Sequence, residues 1–213
     1  MYIPAAFAED RLDIQHALMR EHPLATLIVH GPDGLDATPV PVLLDADAGF
    51  YGTLRLHLAR ANPILQALAA ADECLVSFLG PQAYITPSWY ATKAEAGKVV
   101  PTWNYVAVQA WGKPRVVDDA GWLRAQVGAL TDAQEQRRAQ PWAVDDAPAD
   151  YIETMLRGIV GVEISIARIA GKWKTSQNRP AADRAGVVRG LEENGAGPCA
   201  HAMAALVRGH GDA

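Results

Sequence analysis

Leu54, Leu56 and Leu58 alternate with Thr53, Arg55 and His57 in FYGTLRLHLA, residues 50–59. A period of two puts the leucines on one face of a β-strand and leaves the other face wet or functional. Similar signals recur along the chain. LATLIVH (24–30) is apolar and β-branched, and the GPDG that follows reads as a turn. TPVPVLLD (38–45) is a strand whose Pro39 and Pro41 lack an N–H, which places its start at a sheet edge or beside a bulge. CLVSFLG (74–80), QAYITPSWY (82–90), the long VVPTWNYVAVQAWGKPRVV (99–117) with a bend at Gly112, and the apolar run 159–169 complete the strand set.

Helical periodicity is sparser. Residues 10–20 put Ile14, Ala17 and Leu18 on one face, with Asp10 as N-cap and Pro23 as stop. NPILQALAAAD opens on an Asn62 N-cap with Pro63 at the first helical position. A helix beginning at Asp118 or Asp119 carries Leu123, Val127 and Leu130 at i, i+4 and i+7, and 148–157 forms another. ATKAEAGK reads as a loop. The last 34 residues lean helical and end in RGHGDA, read as a flexible terminus. Six or seven strands, few helices and short links predict a mainly β fold with flanking helices, an antiparallel barrel rather than βαβ units. The predicted organisation is a barrel domain over 1–179 with a helical insertion near 118–158, and a helical appendage of the same domain over 180–213. No repeat or low-complexity segment interrupts it.

Composition narrows the class. The chain has 213 residues, half of them hydrophobic, enough for a sizeable core. A net charge of -5 offers no global attraction to nucleic acid or acidic lipid. Cys74 and Cys199 make no disulfide framework, so reduced thiols and a cytoplasmic location are expected. The opening MYIPAAFAEDRLDIQ lacks a basic region followed by a long apolar one, so no signal peptide is expected, and no window of 18 uncharged apolar residues predicts a membrane span.

Standard catalytic motifs are missing: no G-x-S-x-G, P-loop, G-x-G-x-x-G or H-E-x-x-H. Cys199, His201 and His210 match no standard zinc spacing, so no metal is expected. Asp118-Asp119 and Asp145-Asp146 read as a helix start and a solvated loop, and His57 as a hydrogen-bonded strand histidine. Three stretches remain. YITPSWY holds Ser88 and Trp89; VPTWNY holds Thr102, Trp103 and Asn104; GKWKTSQNR holds Lys174, Ser176, Gln177 and Asn178. Each joins a large aromatic to small hydrogen-bonding groups. Aromatics cover the flat face of a heterocycle, amides and hydroxyls pair with its edge, and lysine or arginine holds a phosphate. Taken singly, each reads as a packed tryptophan with polar groups capping strand ends. Three in one small β domain favour a planar, phosphorylated ligand.

MYIP, LARANP, YITPSWY, VPTWNY and GKWKTSQNR, in this order, resemble the PaiB family of FMN-binding negative transcriptional regulators over about residues 1–206. That family resembles the split barrels of the pyridoxamine-phosphate-oxidase type. The resemblance implies a six-stranded antiparallel split barrel and a homodimer with FMN in clefts between subunits. It implies that His57, Arg60 and Asn62 in HLARANP hold the flavin phosphate, where a helix start also favours an anion. Val40, Pro41, Val42 and Leu44 border the isoalloxazine. Ser88, Trp89, Thr102, Trp103 and Asn104 complete the cleft, and Lys174, Ser176, Gln177 and Asn178 reach in from the same or the partner subunit. Leu56 stands where the family often has glycine, Thr86 and Thr175 replace commoner residues, and no catalytic residue of the oxidases maps onto this chain.

The regulator implied by the resemblance acts indirectly. Direct DNA binding is not expected, because no helix-turn-helix is present, although Arg168 to Arg189 carries six basic residues against the single acid Asp183. An FMN-dependent oxidoreductase is the alternative. A haem-binding split barrel is a further one, with His57 or His201 as ligand.

Overall fold

The leucine alternation is observed as predicted: Leu54, Leu56 and Leu58 are buried along β5 (Thr53–Ala59). The computed structural model describes residues 1–195 and 198–209. His210, one of the three residues weighed as a metal cluster, and the end of RGHGDA lie outside the described residues. The other strands are β1 (Ala8–Glu9), β2 (Leu24–Gly31), β3 (Gly34–Pro41), β4 (Leu43–Asp45), β6 (Cys74–Ile85), β7 (Thr102–Val117) and β8 (Ile159–Lys174). The helices are α1 (Leu12–Glu21), α2 (Ile64–Ala70), α3 (Thr92–Ala96), α4 (Ala120–Glu135), α5 (Ala149–Arg157), α6 (Ala181–Asn194) and α7 (Pro198–Gly209).

The sheet runs β3-β2-β6-β7-β8-β5-β4, with β1 added beside β8, and each defined register is antiparallel. It therefore has eight strands and is open, where six were predicted. Two local causes account for the difference. The strand predicted over 38–45 breaks at Val42, whose N–H leaves the ladder and donates to Pro23 O at 2.9 Å, separating β3 from β4. The two-residue β1 pairs Ala8 with Lys172 and Glu9 with Gly171, a partner far away in sequence. The prolines of β3 sit on an edge strand, where a missing N–H costs no ladder bond. The two segments read as 74–80 and 82–90 are one strand to Ile85. Pro81 lies beyond Ser77, where the register with β2 ends.

Contacts divide the chain into two units. The first comprises Met1–Leu18, Leu79–Val108 and the described residues from Ala170 on; the second comprises Met19–Phe78 and Gln109–Ile169. In the second unit, α4 starts as predicted: Asp119 accepts the Trp122 N–H at 2.7 Å. Leu123, Val144, Ile152 and Leu156 form a core beside Trp122, which lies over Gly161 of β8. In the first unit, Ile85, Tyr90, Val187, Leu191, Met203 and Val207 belong to one buried cluster, so α6 and α7 carry core side chains. The segment predicted as a loop over 91–98 contains the short helix α3. Its start is fixed by the fully buried Asp183, which accepts from Thr92 N at 3.0 Å and Thr92 Oγ1 at 2.8 Å. Gly97 ends it at φ +64°, a conformation that favours glycine. Among the described residues, no helix is long and apolar enough to cross a membrane.

Candidate functional site

GKWKTSQNR begins as strand, because β8 runs on past residue 169 to Lys174. Lys172 and Lys174 point to one side of β8 and the buried Trp173 to the other, the period of two expected of a strand. Beyond Lys174 the backbone turns, with Ser176 at φ +64°, the one non-glycine residue at positive φ among the described residues. Such a conformation costs about 1–3 kcal/mol and persists where its surroundings hold it. Here the holder is Asn104, 1% exposed on β7, whose Nδ2 donates to Ser176 Oγ at 2.9 Å. Trp103 faces the opposite way, 52% exposed and edge-on to Tyr84 at 6.1 Å.

Lys174 Nζ donates to Thr102 Oγ1 and, at 2.5 Å, to Trp103 O. Its pKa is lowered, first by burial and then by the charges of Lys172 and Arg179. Lys172 donates to Tyr2 O at 3.1 Å and lies 5.1 Å from the Tyr105 ring; Arg179 lies 4.7 Å from the Tyr90 ring. The site chemistry is therefore an electropositive cluster whose partners are carbonyls, hydroxyls and aromatic faces. Lys172 and Arg179 were missed in the sequence; the two-residue spacing of the lysines was the available signal.

Other predicted residues of the first unit serve local structure. Gln177 Oε1 accepts from Thr175 N at 2.7 Å, and its Nε2 donates to Trp173 O, so its amide bonds within its own turn. Asn178 is exposed. Ser88 Oγ accepts from Lys93 Nζ at 3.2 Å. Trp89 lies against Gly186 and Gly190 of α6.

In the second unit, Val42 and Leu44 line a cleft of about 370 Å³ with Arg20, Leu130 and Arg137. Val40 is buried, and Pro41 lines a neighbouring groove with Leu24 and Trp142. His57 lies opposite Gly161, and burial pushes its imidazolium pKa down, partly offset by nearby Gln126. Arg60 pairs with Asp118, and Asn62 Oδ1 accepts the Ile64 N–H at 3.1 Å at the start of α2. Cys74 is buried, and burial pushes its thiol up to about 12, so it is an inert core residue. The predicted residues thus fall into two sets, one in each unit.

This arrangement, a β-rich chain with an aromatic- and cation-lined strand end, is that of a split barrel. Among solved structures, the FAD and haem binding protein from Mycobacterium smegmatis shares the fold with a TM-score of 0.55 and 18% identity, over 78% of this chain and 71% of that one. A family model described as "Putative FMN-binding domain" matches residues 1–168. The protease synthase and sporulation protein PAI 2 of Bacillus subtilis is 31% identical, over 97% of this chain and 96% of its own. An uncharacterised protein of Emericella nidulans is 37% identical, over 100% of this chain and 98% of its own. The chain belongs to this FMN-binding domain family, and the PaiB resemblance read from its motifs is borne out.

Proposed function

We propose that the chain binds FMN and acts as a homodimeric negative regulator of transcription that does not itself read DNA. The observation that carries the flavin reading is the cluster of Lys172, Lys174 and Arg179, the first buried and the other two half-buried, beside Thr102, Asn104 and Ser176. Like charges held together disfavour one another, as at Lys174, and an electron-rich ligand edge relieves them. Within the first unit, Lys174 and Asn104 serve the acceptor edge of an isoalloxazine; within the second, Arg60, with His57 and Asn62, serves a flavin phosphate, and Val40, Pro41, Val42 and Leu44 serve a ring face. Ser88, Trp89, Trp103, Gln177 and Asn178 shape the surroundings. When bound, FMN supplies hydride and electron chemistry, and the chain's residues bind and orient it. The regulatory part follows the Bacillus relative, named for protease synthesis and sporulation.

The test is FMN titration followed by flavin fluorescence. Saturable binding of one flavin per chain is expected, and no binding at any concentration would sink the reading. Asn104→Ala loses the amide and the hydrogen bond that steadies Ser176. FMN affinity then falls about two- to tenfold, the worth of one neutral hydrogen bond, with the fold intact by melting curve. Unchanged affinity would leave Asn104 a purely structural residue.

A homodimer is supported by exposed apolar side chains of the first unit: Leu79, Tyr84, Val100 and Trp103. Sedimentation at micromolar concentration is expected to give twice the chain mass. A monomer, with or without flavin, would refute the dimer.

A further inference from the structure

Arg60 directly follows β5, and four of the five N–H groups of its guanidinium are engaged. Nε donates to Arg157 O at 2.9 Å, Nη1 to Asp118 Oδ2 at 2.8 Å, and Nη2 to Asp118 Oδ1 at 2.7 Å and to Ile159 O at 3.1 Å. The two Nη contacts to Asp118 form the bidentate fork with which a guanidinium recognises a carboxylate or a phosphate alike. Arg60 and Asp118 are 45% and 62% exposed. The pair stands on the rim of a cleft of about 460 Å³ that Ala120, Leu123 and Leu156 line with apolar surface. That volume lies in the range of small-ligand pockets. Exposed ion pairs contribute little to folding, so stability alone does not explain a fork placed there. Asp119 is engaged as the cap of α4; Glu153 also lines the cleft, but the carboxylate that forks onto Arg60 is Asp118.

We infer that Asp118 is a competitive gate on Arg60: it takes the two donors that a flavin phosphate requires, and the phosphate must displace it. The inference rests on the reading of Arg60 as the phosphate contact. Displacement leaves Arg60 in place, because its Nε bond to Arg157 O, its Nη2 bond to Ile159 O and its backbone N–H bond to Gly158 O, at 2.9 Å, do not involve Asp118. A phosphate monoester also carries about -1.5 to -2 charges at neutral pH against the single charge of the carboxylate, so the exchange favours the ligand. Asp118 thus sets a threshold that a neutral flavin does not have to cross.

The experiment titrates FMN and riboflavin against the wild-type protein, Asp118→Asn, Asp118→Ala and Arg60→Ala, each checked by melting curve. Both Asp118 variants are expected to bind FMN about two- to fivefold tighter, the scale of one exposed ion pair released. Their affinity for riboflavin, which has no phosphate, stays unchanged. Arg60→Ala weakens FMN about tenfold or more, because a charge-assisted contact is lost, and leaves riboflavin unchanged. If Arg60→Ala weakens FMN while both Asp118 variants bind it no more tightly than the wild type, the gate is overturned and the phosphate role of Arg60 stands. If Arg60→Ala leaves FMN affinity unchanged, the phosphate reading and the gate fall together. Equal tightening of FMN and riboflavin also overturns the gate, because the effect then does not act on the phosphate.

Discussion

Gly186→Ala melts about 4–8 °C below the wild-type protein, while Gly128→Ala melts about 2–4 °C above it. Both glycines lie inside helices, α6 and α4, so each substitution gains about 1 kcal/mol of helix propensity. Their surroundings decide the sign. A Cβ at Gly128 meets nothing within 4 Å. A Cβ at Gly186 overlaps the carbonyl oxygen of Trp89 and lies 3.1 Å from its carbonyl carbon. A backbone group cannot swing aside as the end of a side chain can. Next door, Gly190 admits the Trp89 ring itself. Relief requires α6 to move off the 86–90 segment, opening the buried cluster of Ile85, Tyr90, Val187 and Leu191. Overpacking of this kind costs about 3 kcal/mol, which exceeds the propensity gain and leaves a net loss of about 2 kcal/mol. Thermal melts of the two variants under one buffer check this. A Gly186→Ala protein as stable as the wild type would show that the α6–Trp89 contact is not part of the fold.

That contact also shows what the sequence left hidden. The leucine alternation of β5, the turn after β2, the cap at Asp119 and the edge placement of Pro39 and Pro41 were legible because each is a local pattern with a local cause. Trp89 was read as a ligand-facing aromatic. It also packs against two glycines of α6, Gly186 and Gly190, and a glycine on a helix carries no periodic signal of what it makes room for. The helix α3 was read as a loop because Asp183, which fixes its start, is remote in sequence. Asp183 was also counted as the one acid of a basic segment, whereas it is buried and bonded to Thr92. The end of β8 was misjudged for the same reason: its last residues pair with β1, near the other end of the chain. Of the proposed flavin contacts, the Asn104–Ser176 pair was half legible. The strand period gave the facing of Asn104 and Trp103, but the positive φ of Ser176 left no mark in the sequence.

Lys174→Ala weakens FMN about ten- to 150-fold, the worth of a hydrogen bond from a charged group, and weakens riboflavin by the same factor. The equal loss follows from the proposed contact, because the isoalloxazine edge is common to both ligands, whereas Arg60→Ala separates them. The pH dependence carries a second signature. Lys174 titrates below the ordinary lysine value of 10.5 because burial and the charges of Lys172 and Arg179 disfavour its ammonium form. A ring oxygen that accepts a hydrogen bond from Nζ favours the charged form and raises that pKa in the complex. Binding therefore takes up protons once the free lysine begins to lose its own. Flavin affinity is constant at neutral pH and falls as pH climbs from the lowered value towards 10.5. The Ala variant lacks this component, so the ratio of wild-type to variant affinity shrinks at alkaline pH. The competing account makes Lys174 a structural residue that ties β8 to Thr102 and Trp103. It predicts a lower melting temperature with unchanged flavin affinity, and titration at neutral pH distinguishes the two. A ratio that stays constant across pH, even with weakened binding, would show that another group supplies the charge at the flavin edge.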